Sequence, residues 1–327
     1  MCSTSTGNKN TQDKIDDGIY PFYVRSQTVE RINSWTFDGE AILTAGDGVG
    51  VGKVFHHTYG KIGVHQRVYI LSNFKCDANY LFHFFSSHFY NRVKRMSAKN
   101  SVDSVRKEMI TEMPLYLPSK QEQAKIGVLL SLLDERIATQ SKVIDKLQSL
   151  IKGIAHKISK QGKPNIRLSE CLECSSTTLQ ESDVAEVGAY PVYGANGIVG
   201  YLDTYSTTKE AIYIIKDGSG VGSVSYVKGK CSATGTLNIL EAKEGYSLRY
   251  LYFMLKVFNF EPYKTGMAIP HIYFKDYRKA KIYCPSYELQ VKYTDLLFGI
   301  EQKAITEQKI LTNLYNQKQY LLRQMFI

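Results

Sequence analysis

Residues 118–159 read PSKQEQAKIGVLLSLLDERIATQSKVIDKLQSLIKGIAHKIS, and this stretch decides the fold. Pro118 cannot lie inside a helix, Ser119 is a good N-cap, and Glu122 completes a capping box, so a helix begins here. Apolar side chains then recur at alternating spacings of three and four residues, with Gln140 in the one polar slot. They are Leu130, Leu133, Ile137, Ile144, Leu147, Ile151, Ile154 and Ile158. This pattern predicts a long helix that packs along another helix.

The start of this helix returns at Pro285-Ser286, 167 residues after Pro118-Ser119. Positions at the same offset from the first apolar series are mostly apolar, with Glu307 and Lys318 as exceptions. Polar residues in such a series cost stability and fix the register of two helices. We therefore predict that the two helices pair, although two unrelated amphipathic helices on a globular core remain the alternative. The predicted helix and subunit contacts are Leu133, Ile137, Ile144, Leu147, Ile151, Ile154, Ile300, Leu311, Leu314 and Leu321.

The rest of the chain is duplicated as well, at an offset of 170 residues. Four short motifs return in the same order: Tyr20–Tyr23 as Tyr190–Tyr193, Glu40–Ile42 as Glu210–Ile212, Asp47–Gly52 as Asp217–Gly222, and Asn79–Phe82 as Arg249–Tyr252. A constant offset indicates a tandem repeat of one globular unit and one long helix. The predicted domains are residues 1–118, a helical spacer 119–161, residues 162–285, and a helical spacer 286–327.

Short strands, glycine turns and one or two helices predict a compact α+β unit in each repeat. In the first repeat we predict a strand over Val64–Leu71, an aromatic helix from Asn79 to about Val93, and a polar loop over Ser97–Asp103. The fold class is therefore α+β, with two tandem α/β domains separated by long helices. An antiparallel pairing of those helices would make a coiled coil with pseudo-two-fold symmetry.

Charge and cysteine content restrict the class of protein. The 327 residues carry a formal net charge of +10, which attracts polyanions; nucleic acid is the leading partner and a membrane surface the alternative. The 6 cysteines are scattered and follow no signal peptide, which favours reduced thiols in the cytoplasm. Cys171 and Cys174 form one CxxC without a second pair at zinc-site spacing, so we expect no metal. No apolar run reaches transmembrane length.

The usual signatures of catalysis are missing from the sequence. Gly52-Lys53 lacks the other residues of a Walker A loop, and no helical pattern follows it. The glycine runs are either plain hairpin turns or places where backbone approaches DNA. We find no Asn/Asp-Pro-Pro-Tyr, G-x-S-x-G or H-E-x-x-H motif. The chain alone is therefore predicted to be non-catalytic.

The duplicated order resembles the specificity subunit of a type I restriction–modification system, over essentially the whole chain. The motifs present twice are Tyr-Pro-x-Tyr, Asp-Gly-x-Gly-x-Gly after a strand, and Pro-Ser-x-x-x-Gln before a long helix. One departure concerns Ile166–Leu168, whose counterpart would map before Met1, so the first target-recognition domain is expected to lack its first strand.

The resemblance implies a DNA-binding subunit that positions other subunits. A rod about 40 Å long would span roughly one turn of duplex DNA and suit a bipartite target. The implied partners are double-stranded DNA, adenine-methylating modification subunits that carry S-adenosylmethionine, and restriction motor subunits that use ATP and Mg²⁺. The chain itself would hold no cofactor, and no membrane is implied. The rival interpretation is a non-catalytic coiled-coil module with duplicated β-rich domains that binds protein or glycan.

Direct readout of bases uses guanidinium and amide groups. Candidate DNA-binding residues in the first domain are Arg25, Gln27, Lys53, His65, Gln66, Arg67, Asn100 and Ser101. Those in the second are Tyr193, Asn196, Lys216, Thr234, Thr236, Lys264 and His271. The segment Lys264–His271 resembles a family loop near the DNA backbone. The adjacent amide and guanidinium of Gln66 and Arg67 are the leading candidates for reading one half-site.

Overall fold

The computed structural model describes residues 1–97, 104–218, 220–266 and 269–326. The chain divides into two compact units. Unit 1 comprises Met1–Gln140 and Ile310–Ile327, and unit 2 comprises Ser141–Lys309. Each unit thus contains one globular domain together with part of each long helix.

Unit 1 contains a single mixed sheet covered by a helix. Its strands are β1 (Ser3–Thr6), β2 (Tyr20–Tyr23), β3 (Glu30–Ile32), β4 (Phe37–Ala45), β5 (Phe55–Val64) and β6 (Val68–Ser72). They lie in the order β1-β6-β4-β5-β2-β3; β2 and β5 pair in parallel, and the other neighbours among these strands pair antiparallel. The helices are α1 (Ala78–Met96), α2 (Lys107–Thr111) and α3 (Lys120–Ser159), the last of which continues into unit 2. The apolar face of α1, including Phe85 and Phe89, packs on Ile42 and Leu71 of the sheet.

Unit 2 repeats these elements, but its strands are divided among three sheets. In chain order they are β7 (Ile166–Arg167), α4 (Leu168–Cys171), β8 (Leu172–Ser175), β9 (Tyr190–Gly194), β10 (Gly197–Leu202), β11 (Glu210–Ile215), β12 (Val224–Lys228), β13 (Ser232–Ala233), β14 (Leu237–Ala242), α5 (Leu248–Lys256), α6 (Phe274–Tyr277), β15 (Lys281–Ile282) and α7 (Tyr287–Met325). The sheets are β12-β11-β14-β8, β10-β9-β13 and β15-β7. Short 3₁₀ turns occur at Thr11–Asp13 in unit 1 and at Glu181–Asp183 and Glu261–Tyr263 in unit 2.

The predicted start of the first long helix is confirmed. The backbone N–H and the hydroxyl of Ser119 donate to the Glu122 carboxylate at 3.0 and 2.7 Å, and the Glu122 N–H donates to the Ser119 hydroxyl at 3.3 Å. These hydrogen bonds from Ser119 lower the pKa of Glu122. The helix then runs for 40 residues, because the apolar series continues to Ile158.

Within each unit, α3 and α7 run antiparallel along the predicted apolar series. In unit 1, Asp134 of α3 contacts Lys318, whereas Ile126, earlier in α3, shares a groove with Met325, later in α7. In unit 2 the Tyr293 hydroxyl donates to the Gln161 side chain, beyond the end of α3. The buried members of the series are Leu130, Ile137, Ile144, Ile151, Ile158, Leu297, Ala304, Glu307, Leu311 and Leu314, and the half-buried ones are Leu133, Leu147, Ile154, Ile300, Lys318 and Leu321. The α+β class with two long helices is thus confirmed.

One glutamine per repeat ties each long helix to the domain that it follows. The buried Gln123 side chain donates to the Pro118 carbonyl at 2.8 Å and accepts from the N–H of Asp77, the N-cap of α1, at 3.1 Å. Gln290 does the same in unit 2, with Pro285 and with Ser247, the N-cap of α5, at 2.9 Å each. The repeated Pro-Ser-x-x-x-Gln motif therefore has a structural role.

The predicted strand over Val64–Leu71 is wrong in one respect, because a turn interrupts it and divides the segment between two strands. β5 ends at Val64 and β6 begins at Val68. The Val68 N–H donates to the His65 carbonyl at 2.9 Å, which closes the turn. This turn, residues 65–68, is named the readout turn of unit 1 below, after the prediction from sequence that Gln66 and Arg67 read one half-site.

Candidate nucleic-acid interface

The glycines of the Asp47–Gly52 loop serve the protein's own backbone. Gly48 and Gly52 have φ values of 76° and 64°, which side chains rarely adopt. A Cβ at Gly50 would lie 2.3 Å from the Arg25 carbonyl oxygen, and one at Gly52 would lie 3.1 Å from the Tyr90 ring. The plain-turn interpretation of these glycines is therefore sufficient for this loop.

The same loop is built in unit 2. Gly218 and Gly222 have φ values of 95° and 89°. The Val221 N–H donates to the Gly218 carbonyl at 3.2 Å, as the Val51 N–H does to Gly48 at 3.1 Å. A Cβ at Gly222 would lie 3.3 Å from Phe260, the counterpart of Tyr90. The Asp-Gly loops are thus equivalent parts of the two units.

The readout turn also has a counterpart, at residues 234–237. The first residue of each turn donates its N–H to a strand carbonyl: His65 to Tyr23 at 3.0 Å, and Thr234 to Tyr193 at 2.8 Å. The third residue accepts from the strand before the Asp-Gly loop: Arg67 from Gly46 at 2.7 Å, and Thr236 from Lys216 at 2.9 Å. Candidate residues that the sequence suggested separately in the two repeats therefore occupy equivalent positions.

In unit 1 this arrangement places two arginines around one carboxylate. Arg25 Nη1 donates to Asp47 Oδ1 at 2.9 Å, and Arg67 Nε lies 3.5 Å from Asp47 Oδ2. The Arg25 side chain remains 43% exposed and that of Arg67 65%. Both guanidinium groups are thus oriented by the protein and still available to a ligand. We name Arg25, Asp47 and Arg67 the arginine fork.

His65 and Thr234 do not present their side chains to solvent. They are 4% and 1% exposed. Burial lowers the pKa of His65, with a further lowering by the charge of Arg25. The Arg67 N–H donates to His65 Nδ1 at 3.0 Å, as a neutral imidazole allows. Thr234 instead shares a 2.8 Å hydrogen bond with the Thr236 hydroxyl. Their burial argues against direct base contact and assigns both to support of the turn.

The other candidates in unit 1 have separate surroundings. Gln66 donates its amide to the Asn10 side chain at 2.6 Å, and Gln27 is exposed in the loop after β2. Lys53 lies over the Tyr90 ring, 5.1 Å from its centre. The predicted Asn100 and Ser101 lie outside the described residues.

In unit 2 the candidates are more dispersed. Asn196 is exposed beside Gly197, in the turn between β9 and β10, and Tyr193 packs on Tyr213. Lys264 pairs with Glu261 at 2.7 Å. His271 exchanges two backbone hydrogen bonds with Thr265 and pairs with Asp217 of the glycine loop. His271 thus borders the Asp-Gly loop.

Sequence reasoning missed three residues beside the candidates. Asp47 orients the fork, Asn10 accepts from Gln66, and Val49 is fully exposed at the tip of the glycine loop. The repeated Asp-Gly motif was a signal for Asp47. An acidic residue is nevertheless an unexpected choice for a surface that is predicted to meet phosphate, and its two arginine partners explain it.

The described residues offer neither a metal site nor a membrane-spanning helix. They include no cluster of three or more histidine, cysteine or acidic side chains that could hold a metal ion. Burial raises the pKa of Cys171 to about 12 and that of Cys174 to about 11. None of the described helices is both long and apolar enough to cross a membrane.

Known proteins are similar to this chain in sequence or in fold. The Escherichia coli EcoDI type I specificity subunit is 27% identical over 152 residues, which cover 46% of this chain and only 33% of that subunit. The crystal structure of a type I restriction–modification S subunit from M. genitalium shares the fold, with a TM-score of 0.75 and 19% identity over 100% of this chain and 94% of that one. A chain from a structure on complex assembly and conformational transition of the type I system has a TM-score of 0.51 and 16% identity, over 91% of this chain and 83% of that one.

The family model for the type I restriction modification DNA specificity domain matches twice, at residues 2–149 and 164–316. The two matches together cover most of the chain, and each contains one Asp-Gly loop with its readout turn. The chain therefore belongs to the family of type I restriction–modification DNA specificity domains.

Proposed function

We propose that this chain is the sequence-specificity subunit of a type I restriction–modification complex and reads a bipartite DNA target. The observation that carries the proposal is the duplicated pairing of an Asp-Gly loop with a readout turn, once in each family match. The net charge of +10 favours binding to the phosphate backbone. Two readout turns with different side chains on the same framework suit a target with two different half-sites.

We further propose that the long helices dock the modification subunits. Leu129 and Leu132 of α3 are 44% and 57% exposed, and they line a groove of about 400 Å³ with Leu133, Tyr320 and Leu321. Apolar side chains exposed beside each other favour burial against a partner. A modification subunit is the proposed partner, because the chain belongs to a family of type I restriction–modification systems.

The chemistry of such a complex would lie on the other subunits. Modification subunits would supply S-adenosylmethionine and methylate adenine, and restriction subunits would use ATP and Mg²⁺. The role of this chain would be to select the site and to hold the subunits there. Its leading candidate contacts are the exposed Arg25, Gln27 and Arg67 in unit 1, and the exposed Asn196 and half-buried Thr236 in unit 2.

The test is methylation mapping of the assembled complex. The chain would be co-expressed with its cognate modification subunit, and adenine methylation would be sequenced on a genomic library. We expect a two-part consensus with a fixed gap. A purified, assembled complex that binds DNA without any consensus would contradict the proposal and favour the protein- or glycan-binding module.

The docking surface has its own test. The double variant Leu129→Asp and Leu132→Asp should remove co-purification of the modification subunit without unfolding the chain, because both side chains are exposed. The matched control is Ile19→Asp and Val187→Asp, which changes two exposed apolar residues outside the long helices. Equal recovery of the complex with both double variants would exclude this groove as the docking surface.

A further inference from the structure

We propose that the arginine fork reads guanine, so that the half-site bound by unit 1 contains a guanine that depends on Arg25 and Arg67. The inference rests on the proposed function and adds the chemical class of the base that is read. Arginine donates two parallel hydrogen bonds to the O6 and N7 atoms of guanine in the major groove, a pattern that no other base offers.

The fork is oriented before any ligand arrives. One carboxylate oxygen of Asp47 accepts from Arg25 at 2.9 Å, and the other lies 3.5 Å from Arg67 Nε. Arg67 contacts Asp47 through Nε, and Arg25 contacts it through Nη1 alone, so each guanidinium retains further N–H donors. A held guanidinium loses less conformational entropy on binding than a free one.

The backbone under the fork is fixed as well. Gly50 brings the glycine loop against the Arg25 carbonyl, and the Arg67 carbonyl accepts from the Gly46 N–H at 2.7 Å. The imidazole of His65 stabilises the turn by accepting a hydrogen bond from the Arg67 backbone N–H. Both arginines are thus anchored to the same loop that carries Asp47.

The net charge of the arginine fork also favours base readout over simple attraction to phosphate. Asp47 cancels one of the two positive charges of the fork, so the fork as a whole carries one net positive charge. A surface that binds phosphate alone gains nothing from a carboxylate between two arginines. A carboxylate that orients an arginine toward a base edge does have a function, because direction matters for a two-bond contact.

Unit 2 has no arginine at the two positions equivalent to Arg25 and Arg67. The counterpart of Arg67 is Thr236, and the residue 170 positions after Arg25 is Ala195. Asp217 is retained, but it forms no salt bridge among the residues that the structure describes. The fork is therefore a property of one half of the duplication, and its effect should be confined to one half-site.

The experiment maps methylation for the wild-type complex and for complexes with Arg25→Ala, Arg67→Ala or Arg67→Lys. The wild type should show a guanine in one half-site. Each alanine variant should lower the preference for guanine at a position of that half-site by about 5- to 150-fold, while the other half-site stays unchanged. Arg67→Lys keeps the charge but lacks the planar donor pair, so it should weaken the preference too, by less than alanine does.

One matched control and two variants of Asp47 separate readout from folding and from charge. Arg95→Ala removes an exposed arginine of α1 outside the fork and should leave the consensus intact. Asp47→Asn removes the orienting charge and should weaken the guanine preference by less than the loss of an arginine. Asp47→Glu, which restores a carboxylate, should recover part of that loss.

The outcomes distinguish this inference from the proposed function. A bipartite consensus without guanine in either half-site, or a guanine that survives both alanine variants in assembled complexes, overturns the arginine fork and leaves the proposed function standing. An assembled complex without any consensus overturns both. Relaxation of guanine in one half-site by Arg67→Ala and Arg67→Lys, but not by Arg95→Ala, supports the inference.

Discussion

The two units share a framework and differ where they meet solvent. In both units a glutamine joins the long helix to the preceding domain, and a buried tyrosine, Tyr80 or Tyr250, donates its hydroxyl to a carbonyl just before the long helix at 2.9 Å. The readout turns are closed by the same backbone hydrogen bonds. Their side chains, by contrast, are Arg67 in one unit and Thr236 in the other. The duplication has thus kept the bonds that position the turns and varied the groups that the turns present.

The units also differ in how far their strands run. β5 of unit 1 pairs with β4 on one stretch and with β2 on another, so all six strands form one sheet. In unit 2 the same path is split into β12 and β13, with a break at Gly229, where φ is 81°. The parallel pairing that positions the readout turn is nevertheless retained, between β13 and β9. The turn therefore requires that local pairing and not a continuous sheet.

The largest expected effect tests whether the two repeats are equally dependent on their helix contacts. Leu130 and Leu297 are equivalent and fully buried, the first among Tyr80, Phe84 and Phe326 and the second in the main core of unit 2. We expect Leu130→Ala and Leu297→Ala each to lower the free energy of unfolding by about 2–5 kcal/mol, because each leaves a cavity. Denaturant unfolding measures this, with the exposed Leu132→Ala as a control that should change it by less than about 0.5 kcal/mol. A cost below that of the control at either site would contradict equal dependence.

The next difference is a buried histidine that unit 2 replaces by an apolar ring. His83 of α1 is 2% exposed, and its counterpart is Phe253. Burial lowers the pKa of His83 to about 4; the charge of Asp134 opposes the shift, and that of Lys318 adds to it. The unfolded histidine titrates near 6.5, so the unfolded state alone gains a proton below that pH. The contribution of His83 to the free energy of unfolding is largest above pH 6.5 and decreases as the pH falls to about 4.

We therefore expect His83→Phe to remove part of the acid sensitivity. Between pH 7 and pH 5 the wild type should lose about 2 kcal/mol more of its unfolding free energy than the variant. Urea unfolding at the two pH values measures the difference. His88→Phe, which changes a half-buried histidine of the same helix, is the matched control. If the wild type and His83→Phe respond equally to acid, His83 is not the group that makes unit 1 sensitive.

A smaller effect is expected where the units are alike. Gln123→Met and Gln290→Met keep the length of the side chain but leave a proline carbonyl and an N-cap N–H without their partner. Each should cost about 1–3 kcal/mol, because buried polar groups lose hydrogen bonds. The exposed Gln121→Met is the control. Unequal costs at the two sites, measured by denaturant unfolding, would show that the connection is not equivalent in the two repeats.

Much of the framework could be predicted from sequence, because it is encoded locally. The spacing of Leu130, Ile137 and Ile144 identifies the buried face of α3, and Ser119 with Glu122 identifies its first turn. The equal offsets of the repeated motifs predicted two copies of one fold. These signals depend on neighbours within one or two helical turns or on simple repetition.

The readout turn could not be predicted in the same way. The apolar residues on either side of His65 and Arg67 read as one strand, and the turn between them is fixed by distant groups, the Tyr23 carbonyl and the Gly46 N–H. The arginine fork depends on the same long-range pairing, since Arg25 and Asp47 are 22 residues apart. The sequence identified Arg25 and Arg67 as candidates but not the carboxylate that joins them.

The smallest expected effect concerns ion pairs that link different elements in the two units. In unit 1, Lys318 of α7 pairs with Asp134 of α3, so the contact joins the two long helices. In unit 2 the residue equivalent to Asp134 is Glu301, which pairs with Lys256 of α5 at 3.0 Å and accepts from the Tyr252 hydroxyl at 2.7 Å. Lys318, one of the two polar residues that the sequence placed in the apolar series, therefore links the two long helices in unit 1.

A double-mutant cycle with Asp134→Asn and Lys318→Met should give a coupling of about 0.5–1 kcal/mol, because both side chains are partly exposed. The cycle with Glu301→Gln and Lys256→Met should give a similar or larger coupling, since Tyr252 adds a donor. Only the first cycle concerns helix register. Cysteines introduced at exposed positions of α3 and α7 should therefore cross-link in more than one register with Lys318→Met and in a single register with Lys256→Met. A single register with both variants would mean that the apolar residues alone align the helices, and that Lys318 is tolerated in the series without determining it.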